Sequence, residues 1–124
     1  MAIKGLGTDI VEIVRISNAV ASSDRFAKRV LTDKELNIYK NSPDAARYLA
    51  KRWAAKEAAA KALGVGIGRG ISFQHFETSN DELGAPILEL TSTALELAKS
   101  KGITQCHISI SDEQHYAMAT VILE

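Results

Sequence analysis

Cys106 has no second cysteine to pair with, so no internal disulfide braces the chain. Its alternating surroundings predict a buried strand position. That thiol and the three histidines, at 75, 107 and 115, fall at none of the spacings a zinc site needs, and nothing resembles a serine or cysteine triad. No apolar run approaches the ~18 residues of a membrane span. The opening MAIKGLGTDI lacks a signal-peptide core, which points to a cytoplasmic protein. There is no repeat, low-complexity tract or linker, so the 124 residues are expected to form a single domain, 1–124.

Net charge is also missing, but its formal value of zero hides a division. Residues 1–70 carry 13 bases and 7 acids, whereas residues 71–124 carry 2 bases and 8 acids. Either the first half meets an anionic ligand or acidic partner, or the opposite charges meet within the fold or between subunits.

Residues 2–13, AIKGLGTDIVEI, read as a strand interrupted by Gly5 and Gly7, with a helix near Arg15–Ala21. A short helix follows at Arg25–Val30. Thr32 and Glu35 have capping-box spacing for another. Ser42 and Pro43 suit an N-cap and first helical position, and the helical pattern then runs to Leu63, with Gly64 ending it. ISFQHFE alternates as a strand, NDELGAP is a turn, and Pro86–Leu90 reads as the returning strand. Thr91–Lys101 is a helix closed by Gly102, and CHISISDEQHYAMATVIL a terminal hairpin turning near Asp112–Gln114. The order is β, several helices, then ββαββ. It predicts an α+β fold, a mainly antiparallel sheet packed against helices.

RWAAKEAAAKALG, Arg52–Gly64, is alanines, bases and apolar residues, an excellent helix former with Glu57 as its only acid. Ala46, Ala50, Trp53, Glu57, Ala60 and Gly64 share one helical face. On that face Glu57 needs a metal or a strong donor if buried; the bland alternative pairs it with Lys61 in water. Asp9 follows two glycines in a segment whose Ile10, Val11 and Ile13 belong in a core, so it either caps a turn or binds something. Two separated carboxylates suit Mg²⁺, which takes further oxygens from water and phosphate. Lys61 lies on Glu57's side and could reach a phosphate held by the same ion. Arg52 and Lys56 form an i,i+4 pair on a neighbouring face, where solvated surface is the ordinary outcome. GVGIGRG could bring the amides of Gly64 and Gly66 to a phosphate or serve as a flexible connector; it lacks the Walker spacing. Arg15, Arg25, Lys28 and Arg29, with Phe26 and Val30 among them, make a basic stripe that could dock an acidic partner or remain a solvated amphipathic face. The three histidines read as structural.

With these residues in view, the chain resembles the bacterial holo-[acyl-carrier-protein] synthases, a family of phosphopantetheinyl transferases. The resemblance rests on GTDIVEI at 7–13, RVLTDKE at 29–35, KRWAAKEAAAKALGVGIG at 51–68, the FE–NDELGAP region and the closing SISDEQHYAMATV, covering nearly the whole chain. It implies transfer of 4′-phosphopantetheine from coenzyme A to a serine of apo acyl carrier protein, with release of adenosine 3′,5′-bisphosphate, in support of fatty acid biosynthesis. It further implies Mg²⁺ held by Asp9 and Glu57, phosphate contact by Lys61, and receipt of the carrier's acidic helix by Arg15, Arg25, Phe26 and Arg29. Arg52, Gly64 and Gly66 are expected beside Lys61 around the coenzyme. Homotrimers with sites between subunits are also expected, and no nucleic acid or membrane partner. Many members have histidine after the Ser-x-Ser of the last hairpin, where this chain has Asp112, which puts that nucleotide contact in doubt. Two rival readings stay open on residues alone, a sequence-nonspecific nucleic-acid module and a non-catalytic carrier-binding protein. Neither needs Asp9 or Glu57.

Overall fold

A computed structural model describes residues 2–124. Strand β1 (Gly5–Glu12) leads into helices α1 (Ile13–Val20), α2 (Arg25–Val30), α3 (Asp33–Lys40) and α4 (Ala45–Ala62). A 3-10 turn at Phe73–His75 then precedes β2 (Phe76–Asn80) and β3 (Pro86–Leu90), followed by α5 (Ser92–Ser100), β4 (Cys106–Asp112) and β5 (Tyr116–Leu123). The expected α+β order is therefore present. β5 pairs antiparallel with both β1 and β4 to give a three-stranded sheet in the order β1-β5-β4, and β2-β3 form a separate antiparallel hairpin.

Helix α4 lies against the sheet, touching β1 and β5 most extensively. Ala50, Ala54, Ala55, Ala58, Ala59, Ala60 and Ala62 are all buried. A helix covered on most of its faces has no room for larger side chains, which explains the alanines. The sheet supplies Val11, Ala117, Ala119, Val121 and Leu123 to the same core, and Leu31, Leu49, Leu63 and Phe76 fill its flank.

Local chemistry sets most boundaries. Thr32 and Glu35 do form the reciprocal capping box of α3. Gly64, at φ +83°, follows the end of α4, and Gly102, at φ +73°, follows α5; both use the left-handed region that glycine tolerates.

Four expectations are corrected. Ser42 and Pro43 do not start α4: the Ser42 amide bonds the Tyr39 carbonyl and finishes α3, so Asp44 caps α4 through the Arg47 amide at 3.2 Å. ISFQHFE is not one strand, because Ser72 caps a 3-10 turn before β2 begins. Ile10 is 62 % exposed: it alternates with the inward Asp9 and Val11 onto the outer face of β1. Cys106 is half-buried rather than fully inside, where burial raises its thiol pKa.

Candidate active site

Gly5, Gly7, Asp9 and Val11 share the face of β1 turned to α4. A Cβ on Gly7 would overlap the Ala58 carbonyl oxygen and stand 2.7 Å from the Ala62 nitrogen; one on Gly5 would overlap the Ala62 carbonyl oxygen. Strand and helix thus meet backbone to backbone, which only glycine permits. They run in opposite directions and in step, since two strand residues advance about 6.6 Å and four helical residues about 6 Å. The next inward strand position, Asp9, accordingly comes to the preceding helical turn, which carries Glu57.

The Asp9 side chain is only 12 % exposed. Its Oδ1 accepts from Lys61 Nζ at 2.8 Å, and the same ammonium donates to the Thr8 carbonyl at 3.0 Å. Asp9 Oδ2 is buried without a hydrogen-bond partner. Glu57 is half-buried, and its carboxyl is pushed above the usual range, first by burial and then by the Asp9 charge, against the opposing pull of Lys61 and Arg29. Glu57 therefore neither sits in open water nor has its charge compensated by Lys61. A buried orphan oxygen beside a second, mutually repelling carboxylate is a site short of positive charge. A divalent cation fits it, and Asp9 and Glu57 are the residues that would hold one. Among the described residues no cluster of three or more His, Cys, Asp or Glu exists, so the donor set suits an ion that keeps most of its ligands as water or phosphate, as Mg²⁺ does.

Arg52 is not brought to this pair. It lies about 140° around α4 from Glu57, 7 % exposed, with its guanidinium 4.9 Å from the centre of the Tyr48 ring. The solvated surface expected for Arg52 and Lys56 is corrected, since both are buried, and Arg52 Nε and Nη1 have no hydrogen-bond partner among the described residues. Burial lowers the Lys56 pKa, opposed by the Glu35 carboxylate 2.5 Å away. The amides of Gly64 and Gly66 are engaged by backbone carbonyls. The N–H groups of Gly64, Val65 and Gly66 bond the Lys61 and Ala60 carbonyls, because the end of a helix leaves carbonyls in need of donors. The loop instead walls a cavity of about 360 Å³ with Gly64, Val65, Arg69, Ile71, Thr93 and Leu97.

Arg15 on α1 and Arg25 and Arg29 on α2 are exposed, and the two helices pack together. Phe26 is partly buried against the core. Arg29 stacks 5.5 Å from the centre of the Phe73 ring, near enough to Glu57 for its charge to be felt there. Asp112 accepts from Arg47 Nη1 at 2.9 Å and approaches Lys51 Nζ at 3.3 Å. Burial works against its charge, but these two bases outweigh that and hold the carboxyl below the usual range.

Sequence reasoning missed one group entirely. Glu35 was legible as a capping residue, yet its Oε2 also accepts from the Thr78 amide at 2.7 Å and hydroxyl at 2.8 Å, while its Oε1 binds Lys56. Only a long-range pairing, invisible to periodicity, joins these three.

Comparison with known proteins gives a consistent picture. The family model described as the 4′-phosphopantetheinyl transferase superfamily matches residues 5–121. A holo-[acyl-carrier-protein] synthase of Shewanella baltica is 60 % identical over 125 residues, 100 % of this chain and 98 % of that one. The crystal structure of the Neisseria meningitidis holo-[acyl-carrier-protein] synthase superposes with a TM-score of 0.90 at 39 % identity, covering 99 % of both chains. That of the Helicobacter pylori enzyme in complex with coenzyme A gives 0.83 at 32 % identity, covering 96 % of this chain and 99 % of that one.

Proposed function

Because the chain belongs to the 4′-phosphopantetheinyl transferase superfamily, we propose that it transfers 4′-phosphopantetheine from coenzyme A to a serine of an apo acyl carrier protein. The product on the nucleotide side is adenosine 3′,5′-bisphosphate, and the holo carrier would serve fatty acid biosynthesis. The observation that carries this reading is the Asp9–Glu57 pair with its orphaned buried oxygen, flanked by Lys61. The whole chain, 1–124, acts as one domain.

The serine Oγ attacks the β-phosphorus of the coenzyme; a P–O bond forms there as the bond to the bridging pyrophosphate oxygen breaks. The serine proton passes to a carboxylate of the pair. Lys61 Nζ, half-exposed and able to swing from Asp9 Oδ1, stabilises the charge that gathers on the leaving bisphosphate. Asp9 and Glu57 would hold Mg²⁺, which when bound would supply neutralisation and alignment of the pyrophosphate. Arg15, Arg25 and Arg29 receive an acidic face of the carrier, with Phe26 as the apolar neighbour.

A homotrimer with sites between subunits is part of the proposal. Leu6, Ile10 and Met118 are exposed on the sheet face opposite α4, an apolar surface that a second copy would cover. No helix among the described residues is long and apolar enough to cross a membrane, which accords with the proposed cytoplasmic location.

The deciding assay mixes the protein with apo carrier protein, coenzyme A and Mg²⁺, then weighs the carrier. A gain of one phosphopantetheine supports the transferase. No gain, with salt-sensitive binding of nucleic acid instead, would support a basic binding module.

A further inference from the structure

Helix α2 has six residues, against the roughly 12–15 an isolated helix needs, so contacts from outside must hold it. Its last carbonyls are taken by side chains from distant segments. Gln74 Nε2 donates to the Lys28 carbonyl at 2.7 Å and to the Leu31 carbonyl at 2.6 Å. Lys56 Nζ donates to the Val30 carbonyl at 2.7 Å. Lys56 gives a second bond to Glu35 Oε1, and Glu35 is fixed in turn by the Thr32 amide at 2.8 Å and by Thr78. Both partners of this ion pair are fully buried.

Stability is a weak reason for such a pair. Apolar residues of similar volume often stabilise a fold as much or more, because desolvating two charges offsets most of their attraction. What the pair does supply is direction, since charge-assisted hydrogen bonds fix their partners in distance and angle. Its place in the chain gives that direction a use. Lys56 immediately precedes Glu57, and Val30 immediately follows Arg29 and closes the helix that carries Arg25 and Phe26.

We propose that Lys56, with Glu35 as its buried counter-ion, is a positioning residue that fixes α2 relative to Glu57, so that a carrier docked on α2 presents its serine at the carboxylate pair; Gln74 is the second strut. This rests on the transferase reading above. Neither Lys56 nor Gln74 touches the coenzyme in this role, so its signature is selective for the protein substrate.

Two variants test it. Gln74→Met removes one strut at an exposed position and leaves the buried ion pair intact. Glu35→Gln combined with Lys56→Met removes both buried charges together and leaves no lone charge inside. For each, KM for apo carrier and for coenzyme A are measured, with direct coenzyme A binding by calorimetry and the melting curve as controls. Gln74→Met should raise the carrier KM about tenfold, the scale of one or two lost hydrogen bonds, with coenzyme A affinity within about twofold of the unmodified protein. The double variant should shift the carrier KM further in the same direction. Equal losses for both substrates, or an unmoved carrier KM in Gln74→Met, would overturn the positioning role while the unmodified protein still loads its carrier. If the double variant does not fold, Gln74→Met alone decides. Failure of the unmodified protein to load any carrier would instead remove the transferase reading, and this inference with it.

Discussion

Glu57 carries the effect of its burial as a raised carboxyl pKa, with Asp9 adding to the shift. The folded metal-free protein thus holds the Glu57 proton to higher pH than the unfolded chain does. Between the ordinary and the raised value the folded state binds more protons, so stability falls as pH rises through that window and the cost is complete above it. Glu57→Gln removes the cost. Without metal, this variant should melt above the unmodified protein at pH 7, and the gap should close as the pH falls below the ordinary glutamate value. The same variant should lose about 100-fold or more in turnover, the scale of one lost electrostatic contact to the reacting phosphate. Carrier mass and a melting series over pH read both. Full turnover in Glu57→Gln would exclude the residue from the site. Gly7 makes a different kind of residue-scale prediction. Gly7→Ala sets a methyl against the Ala58 carbonyl, and no rotamer relieves a clash with backbone. A loss of about 1–3 kcal/mol on chemical denaturation is expected, and turnover should fall with it because Asp9 moves away from Glu57. An unchanged midpoint would show that strand and helix do not meet there.

At the scale of elements, α2 separates docking from chemistry. Arg25 opens the helix, exposed and away from Glu57's named neighbours, whereas Arg29 stacks on Phe73 and acts on Glu57 through space. Arg25→Glu is therefore the cleaner docking probe. It should raise the carrier KM about tenfold, the upper end for a rim charge, and make that KM less dependent on salt, with coenzyme A binding unmoved. Arg29→Glu should disturb both substrates, and a purely carrier-directed effect there would separate it from Glu57. The elements themselves were legible where local chemistry decides: Thr32 and Glu35 announce α3, and Gly64 and Gly102 announce two helix ends. They were illegible where a competing bond wins, as when the Ser42 amide closes α3 instead of opening α4. The site follows the same division. Asp9, Glu57 and Lys61 stood out because acids and a base in apolar or alanine-rich settings need a reason. Arg52 and Lys56 misled because helix periodicity gives angles about an axis without saying which angles other elements cover. Nothing local signals that Glu35, Thr78 and the Val30 carbonyl surround Lys56.

For the whole molecule, the unsolved surface is the outer face of the β1-β5-β4 sheet. Alternation sends Gly5, Gly7, Asp9 and Val11 to α4, and so sends Leu6 and Ile10 outward at 65 % and 62 % exposure. In the pairing register Ile10 stands opposite Met118, and Glu12 opposite Tyr116, so the exposed apolar groups adjoin across two strands. One face of an antiparallel sheet can be solvated, but then its outward positions are ordinarily polar. Here they are apolar in part, which is the composition of an interface core. A closed ring of three copies would cover this face by cyclic symmetry and bring neighbouring sites together. Sedimentation should then give three times the 13.4 kDa chain mass. Ile10→Glu places a charge in every copy of that contact, and an unpaired buried charge costs several kcal/mol, about 100-fold or more in association. This variant should sediment as a single chain and lose turnover at concentrations where the unmodified protein is assembled. Leu83→Glu provides the control, since Leu83 is 95 % exposed at the tip of the β2-β3 hairpin, away from the sheet face. If Leu83→Glu alone changes the mass, the contact lies at the hairpin. If neither does, and the unmodified protein already sediments as one chain, the site must be complete within it.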